Sequence, residues 1–115
     1  MTRVISNDKL AAYTFLNELV GCEYYPANCI EKGKDILRRL CVAIETTKPL
    51  TLAALGDLTH GTTHEFNLLE EELNEQGSII DTVARECIAN DIGYIAEAYG
   101  FLEYDIEALI ANREW

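Results

Sequence analysis

Residues 51–76 read TLAALGDLTHGTTHEFNLLEEELNEQ and have the clearest helical period in the chain. Apolar or threonine side chains recur there at steps of three and four, at Leu52, Leu55, Thr59, Thr62, Phe66, Leu69 and Leu73. This spacing places them on one face of a helix, which we expect to run from about Thr51 to Gln76 and to bury that face. Two glycines lower the helix propensity of its first half, so the sequence allows a bend or break near Gly61.

The same spacing continues on both sides of this segment, and no strand-length run alternates apolar and polar residues. Four more helices are predicted, over about Asn7 to Val20, Pro26 to Thr46, Ile79 to Tyr99 and Glu103 to Ala111. Ser6 or Asn7 is the expected N-cap of the first helix, and Gly21 follows its end. The sequence therefore predicts an all-α fold, a single compact domain of about five helices over residues 1–115.

Two local patterns refine the second helix. Its predicted buried stripe is Ile30, Gly33, Leu37, Leu40 and Ile44, and the glycine on that stripe permits a close crossing with another helix. Asp35 and Arg39 have the i, i+4 spacing of a helical ion pair.

The fourth helix has its own start signal and one unusual residue. Gly77 and Ser78 predict a corner in which the serine caps this helix, with Asp81 three residues later. Asp91 falls at the edge of the apolar face, where a carboxylate is more often a hydrogen-bonded buried acceptor than a catalyst.

Charge is distributed very unevenly along the chain. The 115 residues have a formal net charge of -11, with 20 acidic and 9 basic residues. Residues 1–50 contain 7 basic and 6 acidic groups, which is +1, whereas residues 51–115 contain 2 and 14, which is -12. Such a surface repels nucleic acid and acidic membranes and attracts basic proteins, so we expect a basic protein partner. Solubility alone is the alternative explanation of the acidity.

The sequence also bears on the cellular compartment. It has no run of about 20 apolar residues and no signal-peptide pattern at its start, so we expect a cytoplasmic protein. Without an export signal or a C-x-x-C pair, the four cysteines are predicted to be free thiols.

One group of residues resembles a metal site. On a continuous helix Asp57, His60 and His64 lie one turn apart and share a face. The H-E-x-x-H sequence of zinc proteases is absent, the chain has no third histidine, and no phosphate loop or nucleophile elbow occurs. We therefore expect no catalytic residues, no metal and no cofactor. A metal-binding helical bundle or metal-dependent enzyme using these three residues stays open as the alternative.

Carboxylates and two aromatic residues of the acidic half are the predicted partner-binding set. Trp115 either folds back onto the core or contacts a partner, since tryptophan is frequent at binding hot spots. The set comprises Glu70, Glu71, Glu72, Glu75, Asp81, Glu97, Glu103, Tyr104 and Trp115.

Several short strings, spread over most of the chain, carry a family resemblance. They are Tyr24-Tyr25-Pro26, Glu31 to Leu37, Arg39-Leu40-Cys41, Leu58-Thr59-His60, Glu65-Phe66-Asn67, Thr82 to Glu86, Ile95 to Phe101 and Arg113-Glu114-Trp115. Together they resemble one bacterial family, the domain of unknown function DUF5713. The likeness runs from about residue 24 to residue 115. The family's pattern fits a histidine at position 60 but not at 64, which speaks against a paired-histidine metal site.

This resemblance implies an association with bacterial toxin-immunity loci of the kind that serve contact-dependent growth inhibition, where small acidic proteins neutralise a nuclease toxin. Together with the acidic half, it predicts a non-enzymatic immunity protein that covers the nucleic-acid site of its toxin. A helical regulator with a housekeeping role is a third hypothesis. The sequence does not identify the toxin or the oligomeric state.

Overall fold

A computed structural model describes residues 5–115, and in that range the chain forms five α-helices and no strand. The helices are α1 (Asp8–Ala11), α2 (Ala27–Thr47), α3 (Leu52–Glu75), α4 (Thr82–Ala98) and α5 (Ile106–Leu109), with a short 3₁₀ turn at Asn17–Leu19. The all-α prediction is confirmed. The sequence has no signal-peptide pattern at its start. Residues 1–4 of that start lie outside the described residues. No helix within residues 5–115 is both long and apolar enough to span a bilayer.

The core is built on α2 and α3, which form the most extensive helix pair. All five residues of the predicted α2 stripe are buried, and so are six of the seven on α3. Leu52 is the exception, with 43% of its surface exposed, because it is the first residue of α3 and lies beyond the end of the packed face. Periodicity therefore located the core of both long helices.

Gly33 of α2 has no side chain, and neighbouring side chains pack close to its backbone. A Cβ atom placed there would lie 2.7 Å from Cδ1 of Leu16, 3.4 Å from Phe66 and 3.6 Å from Leu69. Side chains of the N-terminal segment and of α3 thus converge on the space that the glycine leaves. The short contact at the glycine is therefore with Leu16 of the N-terminal segment, whereas the side chains of α3 lie at ordinary van der Waals distance. The glycine does permit a close approach, but of this leucine and not of a second helix.

The helix α3 is continuous through both of its glycines. Thr59, Thr62 and Thr63 are buried, and their hydroxyls donate to carbonyl oxygens three or four residues earlier in the same helix. These bonds satisfy the buried hydroxyls internally, and packing against α2 outweighs the low propensity. The break that the sequence allowed near Gly61 does not occur.

The ion pairs of α2 differ from the predicted one. Asp35 accepts from Arg38 at 2.8 Å, which is an i, i+3 pair in place of the predicted i, i+4 pair. Arg39 donates to Glu65 of α3 at 2.7 Å. Since α3 lies alongside α2, Arg39 reaches a carboxylate on the neighbouring helix. The predicted Asp35–Arg39 pair is wrong.

The predicted first helix is also wrong beyond its first turns. Asn7 caps α1 as expected, but the helix ends at Ala11 and the chain then bends before the 3₁₀ turn. Leu16 has a left-handed backbone with φ of 53°, which no α-helix accommodates. Its amide donates to the side chain of Asp91 on α4, so a tertiary contact replaces the helical hydrogen bond.

The corner between α3 and α4 keeps its predicted glycine and changes its cap. Gly77 has φ of 80°, as a residue after a helix end requires. The N-cap of α4 is Asp81, whose carboxylate accepts from the amide of Ala84, and Ser78 is buried before the helix starts. Glu70 of α3 accepts from the amide of Ile80, which ties the segment before α4 to α3. The prediction of Ser78 as the cap is wrong.

The last helix is shorter than predicted, four residues long, with Asp105 as its N-cap. Groups of α3 hold this helix and the chain that follows it. The Nε2 atom of His60 lies 2.8 Å from the carbonyl oxygen of Ala108 in α5, and the side-chain amide of Asn112 donates to the backbone carbonyl of His60. The side chain of Asn67 donates to the backbone carbonyl of Asn112 and accepts from the backbone amide of Glu114. Contacts that no sequence pattern encodes therefore hold α5 and the C-terminal segment against α3.

All four cysteines are free thiols, as predicted. Cys29, Cys41 and Cys87 are buried in the core, and Cys22 is exposed. Burial raises the pKa of Cys41 to about 12 and that of Cys87 to about 11, so both are poorly ionised near neutral pH.

Glu45 connects α2 to the start of the described chain. Its carboxylate accepts from the amides of Ser6 and Asn7 and from the hydroxyl of Tyr99 at the end of α4. Burial opposes its ionisation, but the hydrogen bonds from Tyr99 and from the two amides outweigh burial and hold the pKa of Glu45 below its usual range.

We expect Leu37→Ala to lower the free energy of unfolding by about 2–5 kcal/mol, because Leu37 is 0% exposed and its loss leaves a cavity. The matched control is Leu50→Ala, since Leu50 is 92% exposed and its truncation removes little packing. Urea denaturation followed by circular dichroism measures both. Equal stability of the two variants would contradict the assignment of the core.

Glu45→Gln is expected to cost about 1–3 kcal/mol at neutral pH, because an amide cannot accept from all three donors. A carboxyl group whose pKa is lowered by folding stabilises the folded state at pH values above its ordinary pKa. This stabilisation is lost as the pH falls through the lowered pKa. The difference between wild type and Glu45→Gln should therefore shrink on acidification. Denaturation at a series of pH values tests this, with Glu75→Gln as an exposed control. A difference that grows at acid pH would contradict it.

Candidate protein-binding site

A buried carboxylate on α4 anchors the N-terminal segment. Asp91 is 3% exposed; its Oδ1 accepts from the hydroxyl of Tyr13 and its Oδ2 from the amide of Leu16, both at 2.7 Å. These two hydrogen bonds offset part of the strain of the left-handed leucine. The expectation that Asp91 is a hydrogen-bonded buried acceptor is confirmed.

A cleft of about 300 Å³ opens beside this carboxylate, between α4 and the N-terminal segment. We call it the Asp91 cleft. It contains two carboxylates, two amides and two hydroxyls, and among residues 5–115 no lysine, arginine or histidine lines it. The lining residues are Tyr13, Thr14, Asn17, Glu18, Cys87, Asn90 and Asp91.

The electrostatics of the cleft follow from this lining. Burial raises the pKa of Asp91, and the nearby carboxylate of Glu18 raises it further, while the bonds from Leu16 and Tyr13 act in the opposite direction. Burial and the hydrogen bond to Asp91 likewise raise the pKa of Tyr13, so its hydroxyl keeps its proton. The cleft is therefore a region of negative potential that has no internal cation.

The exposed side of α4 extends this region along the surface. Val83, Glu86, Asn90, Tyr94 and Glu97 follow one another at helical spacing, and each is exposed or half-buried. We call this set the α4 face.

Aromatic rings lie on both flanks of the α4 face. The ring of Tyr13 stacks on Tyr94 with centroids 4.5 Å apart. On the other side, Gly93 leaves room for Tyr104, whose hydroxyl oxygen would lie 2.6 Å from a Cβ atom there.

The ion pairs of the described residues lie elsewhere. Four of the five involve cations of α2, and the fifth joins Arg113 to Glu107 of α5. Arg85 is the one basic residue of α4; it is half-buried, outside the α4 face. Acidic groups of α2 and α3 are thus partly neutralised inside the molecule, whereas those of the α4 face are not.

Three of the predicted partner-binding carboxylates have structural roles. Glu70 accepts from the amide of Ile80, Glu72 pairs with Lys32 at 2.7 Å, and Asp81 caps α4 and accepts from the hydroxyl of Tyr25. Burial opposes the ionisation of Asp81, but the bonds from Tyr25 and from backbone amides hold its pKa below its usual range. These groups are less available to a partner than a free surface carboxylate.

The other predicted carboxylates are exposed. Glu97 belongs to the α4 face, and Glu103 follows the end of that helix. Glu71 and Glu75 lie on the solvent side of α3. We call that side the α3 stripe, which consists of Asp57, Gly61, His64, Leu68, Glu71 and Glu75.

The two predicted aromatic residues have different surroundings. Tyr104 is half-buried against α4. Trp115 is half-buried too and packs edge-on against Phe66, with ring centroids 6.3 Å apart. Its indole Nε1 is buried without a hydrogen-bond partner among residues 5–115. Trp115 thus folds back onto the core, which was one of its two predicted positions.

The metal candidates do not form a site. A carbonyl oxygen only accepts, so the contact with Ala108 requires the proton of His60 on Nε2 and directs that ring toward the C-terminal segment. Asp57 and His64 lie on the α3 stripe. The described chain contains no group of three histidine, cysteine, aspartate or glutamate side chains placed to hold a metal ion.

Sequence reasoning missed Tyr13 and Glu18, because the predicted first helix made them ordinary surface positions. The sequence feature that pointed to the cleft was Asp91, an ionisable residue at the edge of an apolar stripe. The partner of that residue could not be found from spacing, since Tyr13 is 78 residues away in the chain.

A family model matches residues 9–115, and it is described as a family of unknown function (DUF5713). The chain belongs to this family. The match begins ahead of residue 24, where the resemblance of individual strings starts, and so includes Tyr13 and Glu18. No curated protein and no solved structure matches the chain.

We expect Tyr13→Phe to lower the free energy of unfolding by about 1–3 kcal/mol, because it keeps the stacked ring and removes one donor from a buried carboxylate. Tyr24→Phe is the matched control, since Tyr24 is 50% exposed. Thermal and urea denaturation measure both changes. Equal stability of the two variants would show that the Tyr13–Asp91 bond contributes little.

Proposed function

We propose that the protein is a non-enzymatic binding protein, an immunity protein that neutralises a nuclease toxin in the bacterial cytoplasm by covering its nucleic-acid site. The observation that supports this proposal is the α4 face with the adjoining Asp91 cleft. Glu18, Glu86, Asp91 and Glu97 lie there, and none of them forms an ion pair within the described chain.

Charge complementarity indicates which class of partner this surface binds. Nucleases bind phosphates through lysine and arginine, and carboxylates on an inhibitor can engage the same cations. Carboxylates already paired inside the molecule would have to break those pairs first. The carboxylates of the α4 face have no such cost, and neither do Glu71 and Glu75 of the α3 stripe. Only the α4 face adjoins a cleft and a stacked pair of tyrosines, so we place the main contact there.

Tyrosines supply the second element that an interface needs. Tyr13 and Tyr94 form a stacked pair beside Asp91, and Tyr104 lies on the opposite flank of α4. Rigid aromatic side chains bury large areas at low entropic cost and are frequent hot spots. We expect these rings to determine how slowly the complex dissociates, while the carboxylates set how fast it forms.

The exposed carboxylates of the α3 stripe have a different role in this proposal. Glu71 and Glu75 add to the long-range field that attracts a basic protein. A field of this kind accelerates encounter and is weakened by salt. The association rate should therefore fall steeply with ionic strength, and the dissociation rate should change less.

Co-expression tests the proposal with a toxin domain encoded beside the gene. Cells should survive when the wild-type protein is present, and the purified complex should have no nuclease activity. Tight binding that leaves the nuclease fully active would contradict covering of its site.

A matched pair of double variants tests where the contact lies. Glu86→Gln with Glu97→Gln removes two charges from the α4 face, and Glu71→Gln with Glu75→Gln removes two from the α3 stripe. Both change the net charge equally, so both should slow association to a similar extent. Only the α4 variant should also dissociate faster, by roughly tenfold or more if one direct charged contact is lost. Faster dissociation of the α3 variant alone would place the interface on α3.

A further inference from the structure

The Asp91 cleft combines a buried anionic group with an opening to the surface. Asp91 is almost completely inaccessible, yet within residues 5–115 it forms no ion pair and no cation lines the cleft beside it. Buried charges in proteins are usually paired, because an unpaired one loses much of its hydration without compensation. Its two hydrogen bonds offset part of this cost, and no counter-charge lies beside its ionised form among residues 5–115.

We infer that the Asp91 cleft binds a guanidinium group, presented by an arginine side chain of a basic partner protein. The identity of the partner as a protein rests on the proposed function. The guanidinium site itself rests on the lining of the cleft.

The acceptors in the cleft match a guanidinium group. Each carboxylate oxygen of Asp91 accepts one bond from the protein and keeps further lone-pair capacity, and Glu18 adds an exposed carboxylate. Asn17 and Asn90 add side-chain carbonyl oxygens. A guanidinium has five N–H donors in a plane and no acceptor, so it can use several of these oxygens together. An ammonium ion has three donors around a single point.

An aromatic ring favours the same ligand. Tyr13 lines the cleft, is 36% exposed, and is held in place by Tyr94 and by its bond to Asp91. A planar guanidinium can stack on a tyrosine ring while its edge donates to carboxylates. Tyr13 therefore places an aromatic side chain beside the carboxyl groups of the cleft.

The lining also argues against small metabolites that carry an anionic group. In the described part of the chain, no lysine, arginine or histidine lines the cleft to hold a carboxylate or a phosphate. A free amino acid or a nucleotide would place its negative group close to Glu18 and Asp91. The end of a protein side chain has no such group and fits an open cleft of about 300 Å³.

The experiment is a titration of the ¹⁵N-labelled protein with N-acetyl-L-argininamide, followed by amide chemical shifts. The matched ligand is N-acetyl-L-citrullinamide, in which a neutral urea replaces the guanidinium. We expect saturable shifts at residues 13–18 and 87–91 with the arginine compound and none with the citrulline compound. Equal binding of both, or shifts confined to other regions, would overturn the inference.

Variants distinguish binding at the Asp91 cleft from attraction by the overall negative charge of the protein. Asp91→Asn should weaken binding of N-acetyl-L-argininamide by about tenfold or more, as the loss of a charged hydrogen bond implies. If Asp91→Asn fails to fold, Glu18→Gln provides the second test, because Glu18 is exposed and its substitution leaves the Leu16 anchor in place. Glu75→Gln, which removes the same charge from α3, should leave the affinity unchanged. Equal affinities of Glu18→Gln and wild type would count against the site.

Two further results distinguish the possible sources of the guanidinium group. Free L-arginine should bind more weakly than the capped compound, because its carboxylate is repelled; tighter binding of the free amino acid would indicate a metabolite site and overturn the side-chain assignment. Neutralisation of a toxin without binding of the capped arginine would reject the inference and leave the proposed function intact. Binding of the capped arginine without any toxin neutralisation would reject the proposed function only.

Discussion

The bond between the carboxylate of Asp91 and the amide of Leu16 is the constraint on which the packing of the molecule depends. It fixes Leu16 in a left-handed conformation, and the leucine side chain then fills the space over Gly33, beside Phe66 and Leu69. Elements from the N-terminal segment, α2, α3 and α4 thus meet at one residue. A left-handed leucine costs about 1–2 kcal/mol, which is acceptable only because several helices hold it in place.

The same carboxylate connects the fold to the surface proposed for binding. Asp91 anchors the N-terminal segment through its two bonds, and that segment brings Tyr13 and Glu18 to the side of α4. The cations of α2 meanwhile neutralise acidic groups of α2 and α3. The molecule therefore divides its charge between a partly compensated side and an uncompensated one. The composition gives the net charge, but only the tertiary structure shows that the acidic groups of the α4 face, like Glu71 and Glu75 of the α3 stripe, form no ion pair among residues 5–115.

Sequence periodicity predicted the features that depend on local spacing. The stripes of α2 and α3 and the continuous course of α4 follow from the chain alone, because burial of one helical face needs a regular period. Gly77 after the end of α3 follows from the local turn pattern. The bend after α1, the position of the segment before α4 and the placement of α5 involve contacts with residues on other helices. Asp91, Glu70 and His60 provide those contacts, and no local pattern identifies their partners. The acidic candidates were limited in the same way: the sequence shows that Glu70 and Glu72 are acidic, but not that they already have partners.

A pH titration of the Asp91 side-chain carboxyl carbon by ¹³C NMR most directly tests whether this group both anchors the N-terminal segment and binds a cation. In the free protein we expect its pKa above the ordinary aspartate value, because burial and Glu18 both oppose ionisation. Addition of N-acetyl-L-argininamide should lower that pKa, since a bound cation favours the ionised form. An Asp91 carboxyl whose titration is the same with and without the arginine compound would contradict the assignment of the cleft as a cation site.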